Sequence, residues 1–207
     1  MKKPFLLLLL MALIAGSFSF TLSSNVDKRT YDKSDLINYL KATRDSALNA
    51  VQGLSDTQMS YKEAPDRWSV AECLEHITLV EKNFITMAKS MADEKPNPER
   101  SHEIKITDEA IVQGVSDRSH KVKAPEPFIP RHAFASKEEL IKAFTDQRNE
   151  LISYVESTND NLRDHIRDMP PFGPVSAFQV LLLDGAHSAR HTKQMREVMA
   201  SAEFPKQ

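Results

Sequence analysis

One cysteine, five glycines and one tryptophan in 207 residues exclude several architectures at once. Cys73 has no partner within the chain, so neither an intramolecular disulfide nor a thiolate-based zinc site can form. Few glycines and only four tyrosines leave little material for the many turns and aromatic strands of a β-sandwich or barrel. Positive charge is not in excess either. Lys and Arg number 27 against 29 Asp and Glu, a formal net charge of -2, and the basic residues are scattered among the acids. Neutralising phosphates needs clustered cations, so nucleic acid is not indicated as a partner. No Gly-rich phosphate loop and no G-x-S-x-G elbow occur, which leaves nucleotide binding and serine hydrolysis unsupported. What remains is 41% hydrophobic and 27% charged, the balance of a soluble globular domain, in which any metal must be held by His, Asp and Glu.

One long hydrophobic run is present, at the N-terminus. Lys2 and Lys3 precede an apolar stretch from Phe5 to Ala15, followed by Gly16, Ser17, Phe18 and Ser19. Charged, apolar and small-residue regions in this order read as a secretory signal peptide over residues 1–19, with Ser23 or Ser24 as alternative cleavage points. The expectation is export, periplasmic or secreted, with no stable membrane insertion after cleavage. The alternative is an uncleaved N-terminal membrane anchor, because Pro4 to Leu22 carries no charge. Export accommodates an unpaired cysteine only if Cys73 is buried.

Residues 20–31 read as a polar lead-in, 32–201 as one helical domain and 202–207 as a tail. Ser34 opens a first helix to about Gly53, with Leu36, Ile37, Leu40, Ala47, Leu48 and Val51 at helical spacing. Residues 55–68 read as a loop with at most one helical turn. Ser69 and Glu72 form the S-x-x-E of a capping box, with Trp68 placed to staple onto Cys73. The second helix then runs about six turns along Val70, Cys73, Leu74, Ile77, Val80, Phe84, Met87 and Met91. Residues 96–135 are proline-rich and irregular, with a short helix at Thr107 to Val112 and an extended, polyproline-like 123–130. Ser136 and Glu139 read as a further capping box for a third helix to Thr158. After an irregular 159–174, Ser176 and Gln179 cap a fourth helix to about Ala200.

Four long amphipathic helices predict an all-α four-helix bundle. The long link between helices two and three can carry the chain back along the bundle, so those two run parallel. That is an up-down-down-up order with helices two and four antiparallel and their middles facing.

Those middles carry histidines. His187 and His191 are four apart on helix four and share one face, and His76 lies on helix two three residues after Cys73. Neutral imidazoles are common ligands for zinc and similar ions, and three of them leave a position open. Spacing by itself also describes two boundary histidines on an amphipathic helix. His102, His120, His132 and His165 fall in links and read as solvated or loop hydrogen-bonding side chains. Glu72 either caps its helix or orients a ligand. Asp184 could accept a hydrogen bond from an imidazole or approach a metal, and Cys73 reads as buried packing rather than a nucleophile.

The stretch Arg67-Trp-Ser-Val-Ala-Glu-Cys-Leu-Glu-His76-Ile resembles the W-S-x-x-E-x-L-x-H segment of DinB/YfiT-like proteins. His187-Ser-Ala-Arg-His191-Thr-Lys-Gln194 resembles that family's final-helix H-x-x-R-H-x-x-Q pattern, to which Arg190 and Gln194 also conform. The resemblance extends over roughly residues 32–201. It implies a four-helix bundle holding one divalent metal ion, zinc or nickel foremost, through His76, His187 and His191. It also implies a small-molecule substrate, and dimerisation is common in the family. Members include thiol-dependent S-transferases and proteins described only as metal-dependent hydrolases. Thiol cosubstrates are concentrated in reducing cytosol, so export favours hydrolysis over thiol transfer, with a non-catalytic metal-binding bundle as the remaining alternative.

Overall fold

Each long helix begins at a side chain that satisfies the free N–H groups of its first turn. In the computed structural model, which describes residues 30–206, Asp32 caps α1 (Lys33–Val51), Ser69 caps α3 (Val70–Ala92), Ser136 caps α5 (Lys137–Ser157) and Ser176 caps α6 (Ala177–Met199). Reciprocal capping boxes form at Asp32/Asp35, Ser69/Glu72 and Ser176/Gln179. At α5 the box is incomplete. Ser136 accepts from the Glu139 N–H, but the Glu139 carboxylate turns to the Ala135 N–H, 2.8 Å away, one residue earlier than the pattern predicts. The signal-peptide reading of residues 1–19 lies outside the described residues. Among those described, no helix is long and apolar enough to cross a membrane.

Shorter elements fill the connections. The 55–68 segment holds one short helix, α2 (Asp56–Ser60), with its own Ser55/Gln58 capping box. The short helix expected at Thr107 to Val112 is α4 (Asp108–Ser116), with Thr107 as its cap. The expected polyproline run is interrupted by a 3-10 turn at Glu126–Phe128. The 159–174 link is not wholly irregular, since Ile166–Met169 (β1) and Gly173–Ser176 (β2) pair antiparallel as a small hairpin. Three prolines, at 170, 171 and 174, hide that pairing from pattern reading. Gly173, with φ +76, makes its turn possible.

α1 packs on α5 and α6, and α3 packs on the same two, so α1 and α3 are diagonal. Cross-helix contacts give the directions. Ser46 on α1 meets Arg196 on α6, Thr78 on α3 meets Gln147 on α5, and Lys41 on α1 meets Glu156 on α5. His76 in the first half of α3 meets His191 in the second half of α6, and Phe84 further along α3 meets His187 earlier on α6. Thus α6 runs with α1, α5 runs with α3, and the two pairs are opposed: up-down-down-up. The long 93–136 connection is what lets α3 and α5 run the same way.

Two apolar clusters fill the bundle. One gathers Leu36, Leu40, Val80, Phe84, Leu151 and Leu181 toward one end, and the other gathers Ala47, Val70, Leu74, Phe144 and Met195 toward the other. Between them every long helix presents polar side chains: Thr43, then His76 and Glu81, then Arg148, then Asp184 to Thr192. This belt carries the histidines. The flanks of the domain also pack. Tyr31, expected in a loose lead-in, is buried and held through its backbone by Asp108 and Arg163. In the tail, Phe204 stacks edge-on to Tyr61.

Candidate metal centre

Helical periodicity places Asp184, His187, Ser188 and His191 on one arc of α6, and antiparallel packing sets His76 of α3 against it. The nitrogens that the three imidazoles offer lie within 4.8 Å of one another. The His76 and His187 Nε2 atoms are 3.1 Å apart, and the ring centroids are separated by 4.5 to 4.9 Å. Trp68 lies against His76 and His191, at 4.7 and 5.8 Å between centroids, rather than acting only as a staple on Cys73.

Hydrogen bonding behind two of the rings decides their tautomers. His76 Nδ1 is 2.6 Å from the Phe128 carbonyl oxygen, which can only accept, so Nδ1 carries the proton and Nε2 presents a bare lone pair. His191 Nδ1 is 2.8 Å from Gln194 Oε1. The Gln194 amide is oriented by Arg118, whose Nη1 can only donate and sits 3.1 Å from the same oxygen. His191 Nδ1 is therefore also the protonated nitrogen. Burial keeps all three rings neutral: it lowers His76 to about 4 and His187 and His191 well below the usual histidine range, with charge repulsion from neighbouring imidazoles adding at the latter two.

The bare lone pairs of His76 and His191 face the same point, where a cation would relieve their repulsion. Metal–nitrogen bonds of ~2.0–2.1 Å in a tetrahedral site separate their nitrogens by about 3.3 Å, close to the 3.1 Å between His76 and His187. The donor set fits a divalent ion. His76 and His191 are buried, and His187 is the most exposed of the three.

The Phe128 carbonyl is itself held in place. Glu75, buried on α3, accepts the backbone N–H groups of Arg131, His132 and Ala133 at 3.0 to 3.1 Å, clamping the 126–133 strap over the histidines. His132 takes a positive φ of 56° there. Glu75 was not singled out from sequence. Its only signal was an acid on the buried face beside His76.

Other expectations divide. Glu72 belongs to its capping box and to Lys62, and makes no contact with a ring of the site. Arg190 is not a solvated helix residue: its guanidinium donates to the carbonyls of Asp117 and His120 and ties the post-α4 link to α6. Asp184 lies beside Arg148, 3.2 Å from Nη2. Cys73 is fully buried, and burial pushes its thiol far above the usual range, so it is inert. His102, in a 3-10 turn at Pro98–Glu103, and the loop residues His120 and His132 are exposed, but His165 is buried rather than solvated, and its Nδ1 has no hydrogen-bond partner.

The chain is 26% identical over 155 residues to the uncharacterized protein YuaE of Bacillus subtilis (strain 168), covering 75% of this chain and 91% of YuaE. YfiT from Bacillus subtilis, described as a probable metal-dependent hydrolase with an unusual four-helix bundle topology, superposes with a TM-score of 0.55. That alignment covers 81% of this chain and 85% of YfiT at 15% identity, a likeness of fold. The family model of the DinB superfamily matches residues 39–195, a span that contains all three histidines and all four long helices in whole or large part, and the chain belongs to that superfamily.

Proposed function

We propose that this protein binds one divalent metal ion through Nε2 of His76, His187 and His191 and catalyses metal-dependent hydrolysis of a small molecule. The observation that carries the reading is the convergence of those nitrogens, two of them with protons fixed on the far side of the ring. The description of YfiT as a metal-dependent hydrolase supports it by likeness of fold. An ion held by three neutral nitrogens keeps a position for water and lowers that water's pKa from about 15.7 toward about 7.

The chain's own residues do the remainder. His76 and His191 are pre-oriented by Phe128 and Gln194, so little reorganisation accompanies metal entry. Trp68 and the strap clamped by Glu75 cover the centre on two sides and exclude bulk water. The half-buried His187 marks the side from which a substrate enters. Export by the N-terminal segment is part of the proposal and places the reaction outside the cytosol.

Elemental analysis after zinc or nickel loading tests the reading. One equivalent of metal in the wild type, lost in His76→Ala and His187→Ala, is expected, with ester or amide hydrolysis lost alongside. Absence of bound metal in the wild type overturns it. Bound metal without turnover on any ester or amide reduces the protein to a metal-binding bundle.

A further inference from the structure

Four buried side-chain polar atoms among the described residues have no hydrogen-bond partner, and three of them lie one turn apart on α6: His187 Nδ1 and the two carboxyl oxygens of Asp184, of which Oδ2 is ion-paired with Arg148 and Oδ1 is left with nothing. This pairing of unmet needs is informative. A buried donor or acceptor without a partner bears its full desolvation penalty. Two such groups one helical turn apart would each relieve the other.

Geometry favours the match. Asp184 precedes His187 by three residues, so the two share a face, and helical side chains lean toward the preceding turn, which directs the His187 ring to the turn bearing Asp184. Arg148 Nη2 reaches both Ser188 Oγ at 2.7 Å and Asp184 Oδ2 at 3.2 Å, which locates the carboxyl on the arc that also holds His187. His187 Nε2 faces His76, so its Nδ1 points away from the cluster, as the Nδ1 atoms of His76 and His191 do toward Phe128 and Gln194. His187 is the one ring of the three whose far nitrogen has no acceptor assigned.

We propose that Asp184 is that acceptor. It takes the Nδ1 proton of His187 in a hydrogen bond, direct or through one buried water, and so fixes the tautomer that leaves Nε2 free. A carboxyl group retains acceptor capacity whether ionised or not, so this role does not depend on its charge. Arg148, salt-bridged to Glu81 and Asp184 at full burial, holds the carboxyl in place. Asp184 is a positioning residue acting through His187, and the inference rests on the metal reading only for its consequence on affinity.

Two readouts test it. Nitrogen-15 histidine spectra of the zinc-free full-length protein at pH 7.5, with His187 assigned by its loss in His187→Gln, should show a proton on Nδ1 protected from exchange. Asp184→Ala should remove that protection and Asp184→Asn should retain it. In chelator competition, Asp184→Ala should weaken zinc binding about 10–100-fold, with Asp184→Asn restoring most of the loss. A wild-type His187 protonated on Nε2 overturns the inference with no variant needed, even if Asp184→Ala fails to fold. Equal zinc affinity in wild type and Asp184→Ala overturns it as well. Failure of the wild type to bind zinc would defeat the metal reading alone, because the zinc-free spectrum still decides the tautomer.

Discussion

At the scale of single residues, the centre is defined less by its histidines than by what stands behind them. Phe128 and Gln194 each accept one Nδ1 proton, so His76 and His191 both present a bare Nε2 lone pair to the centre. Neutrality has a cost in acid. A histidine whose folded pKa lies below its unfolded value binds fewer protons when native, so stability is full above about 6.5 and falls as pH drops through the folded value. For His76, lowered to about 4, the loss amounts to on the order of 3 kcal/mol. His187 and His191 add to it in the same direction. Urea midpoints of the zinc-free protein should therefore decline between pH 6.5 and 4, and a His76→Gln variant should decline less steeply. An unchanged pH slope in that variant would contradict the assignment. The histidines were legible as candidates in the sequence, from a shared helix face and a family-like pattern. Glu75 and Phe128 were not, because a carboxylate gathering backbone N–H groups 56 to 58 residues away leaves no local signature.

At the scale of elements, capping chemistry sets where each helix begins, and the cost of losing it is calculable. Ser69→Ala removes the acceptor for the Glu72 N–H at the start of α3, the helix that carries His76. The expected loss is about 1 kcal/mol in a denaturant melt. Gly185 behaves against helix propensity. Alanine in a helix interior normally gains up to about 1 kcal/mol over glycine, but a Cβ at 185 would sit 2.7 Å from the rigid ring of Tyr39 on α1. Gly185→Ala should lower stability by about 1–3 kcal/mol, as overpacking does. A rise in the melting temperature would show that α1 can yield at that contact. The strap is an element too. Glu75→Ala should expose 126–133 to limited proteolysis while leaving α3 helical by circular dichroism, since only the clamp is removed.

At the scale of the whole molecule, one fully buried guanidinium joins all four long helices. Arg148 of α5 donates to the Leu40 carbonyl and Thr43 of α1, pairs with Glu81 of α3, and reaches Asp184 and Ser188 of α6. With two carboxyls and one arginine at essentially no exposure, burial and the neighbouring Glu81 hold the Asp184 pKa well above the carboxylate range. Removing one member leaves an uncompensated buried charge. Arg148→Met should cost about 3–5 kcal/mol, while Arg148→Met combined with Glu81→Leu and Asp184→Leu should recover most of it. Urea melts of the two variants decide this. A triple variant no more stable than the single one would mean that the network contributes more than it costs in desolvation.

The sequence by itself determined the starts of α3, α5 and α6, though it placed that of α1 at Ser34 rather than at the Asp32 cap, and it determined the apolar stripes, the all-α class and the antiparallel meeting of α3 with α6. The starts, stripes and class follow from local backbone chemistry and a period of 3.6 residues, and the antiparallel meeting from the length of the link between α3 and α5. Arg148 shows where such reading stops. In the sequence it is a charged residue on a helix dominated by polar residues, indistinguishable from its solvated neighbours. Only the packing of α1, α3 and α6 around it made it the most deeply buried cation of the bundle. The strap over the histidines is likewise a product of tertiary contact, because Glu75, which gathers its backbone N–H groups, lies 56 to 58 residues away, whereas the hairpin at 166–176 is local and was hidden by its prolines.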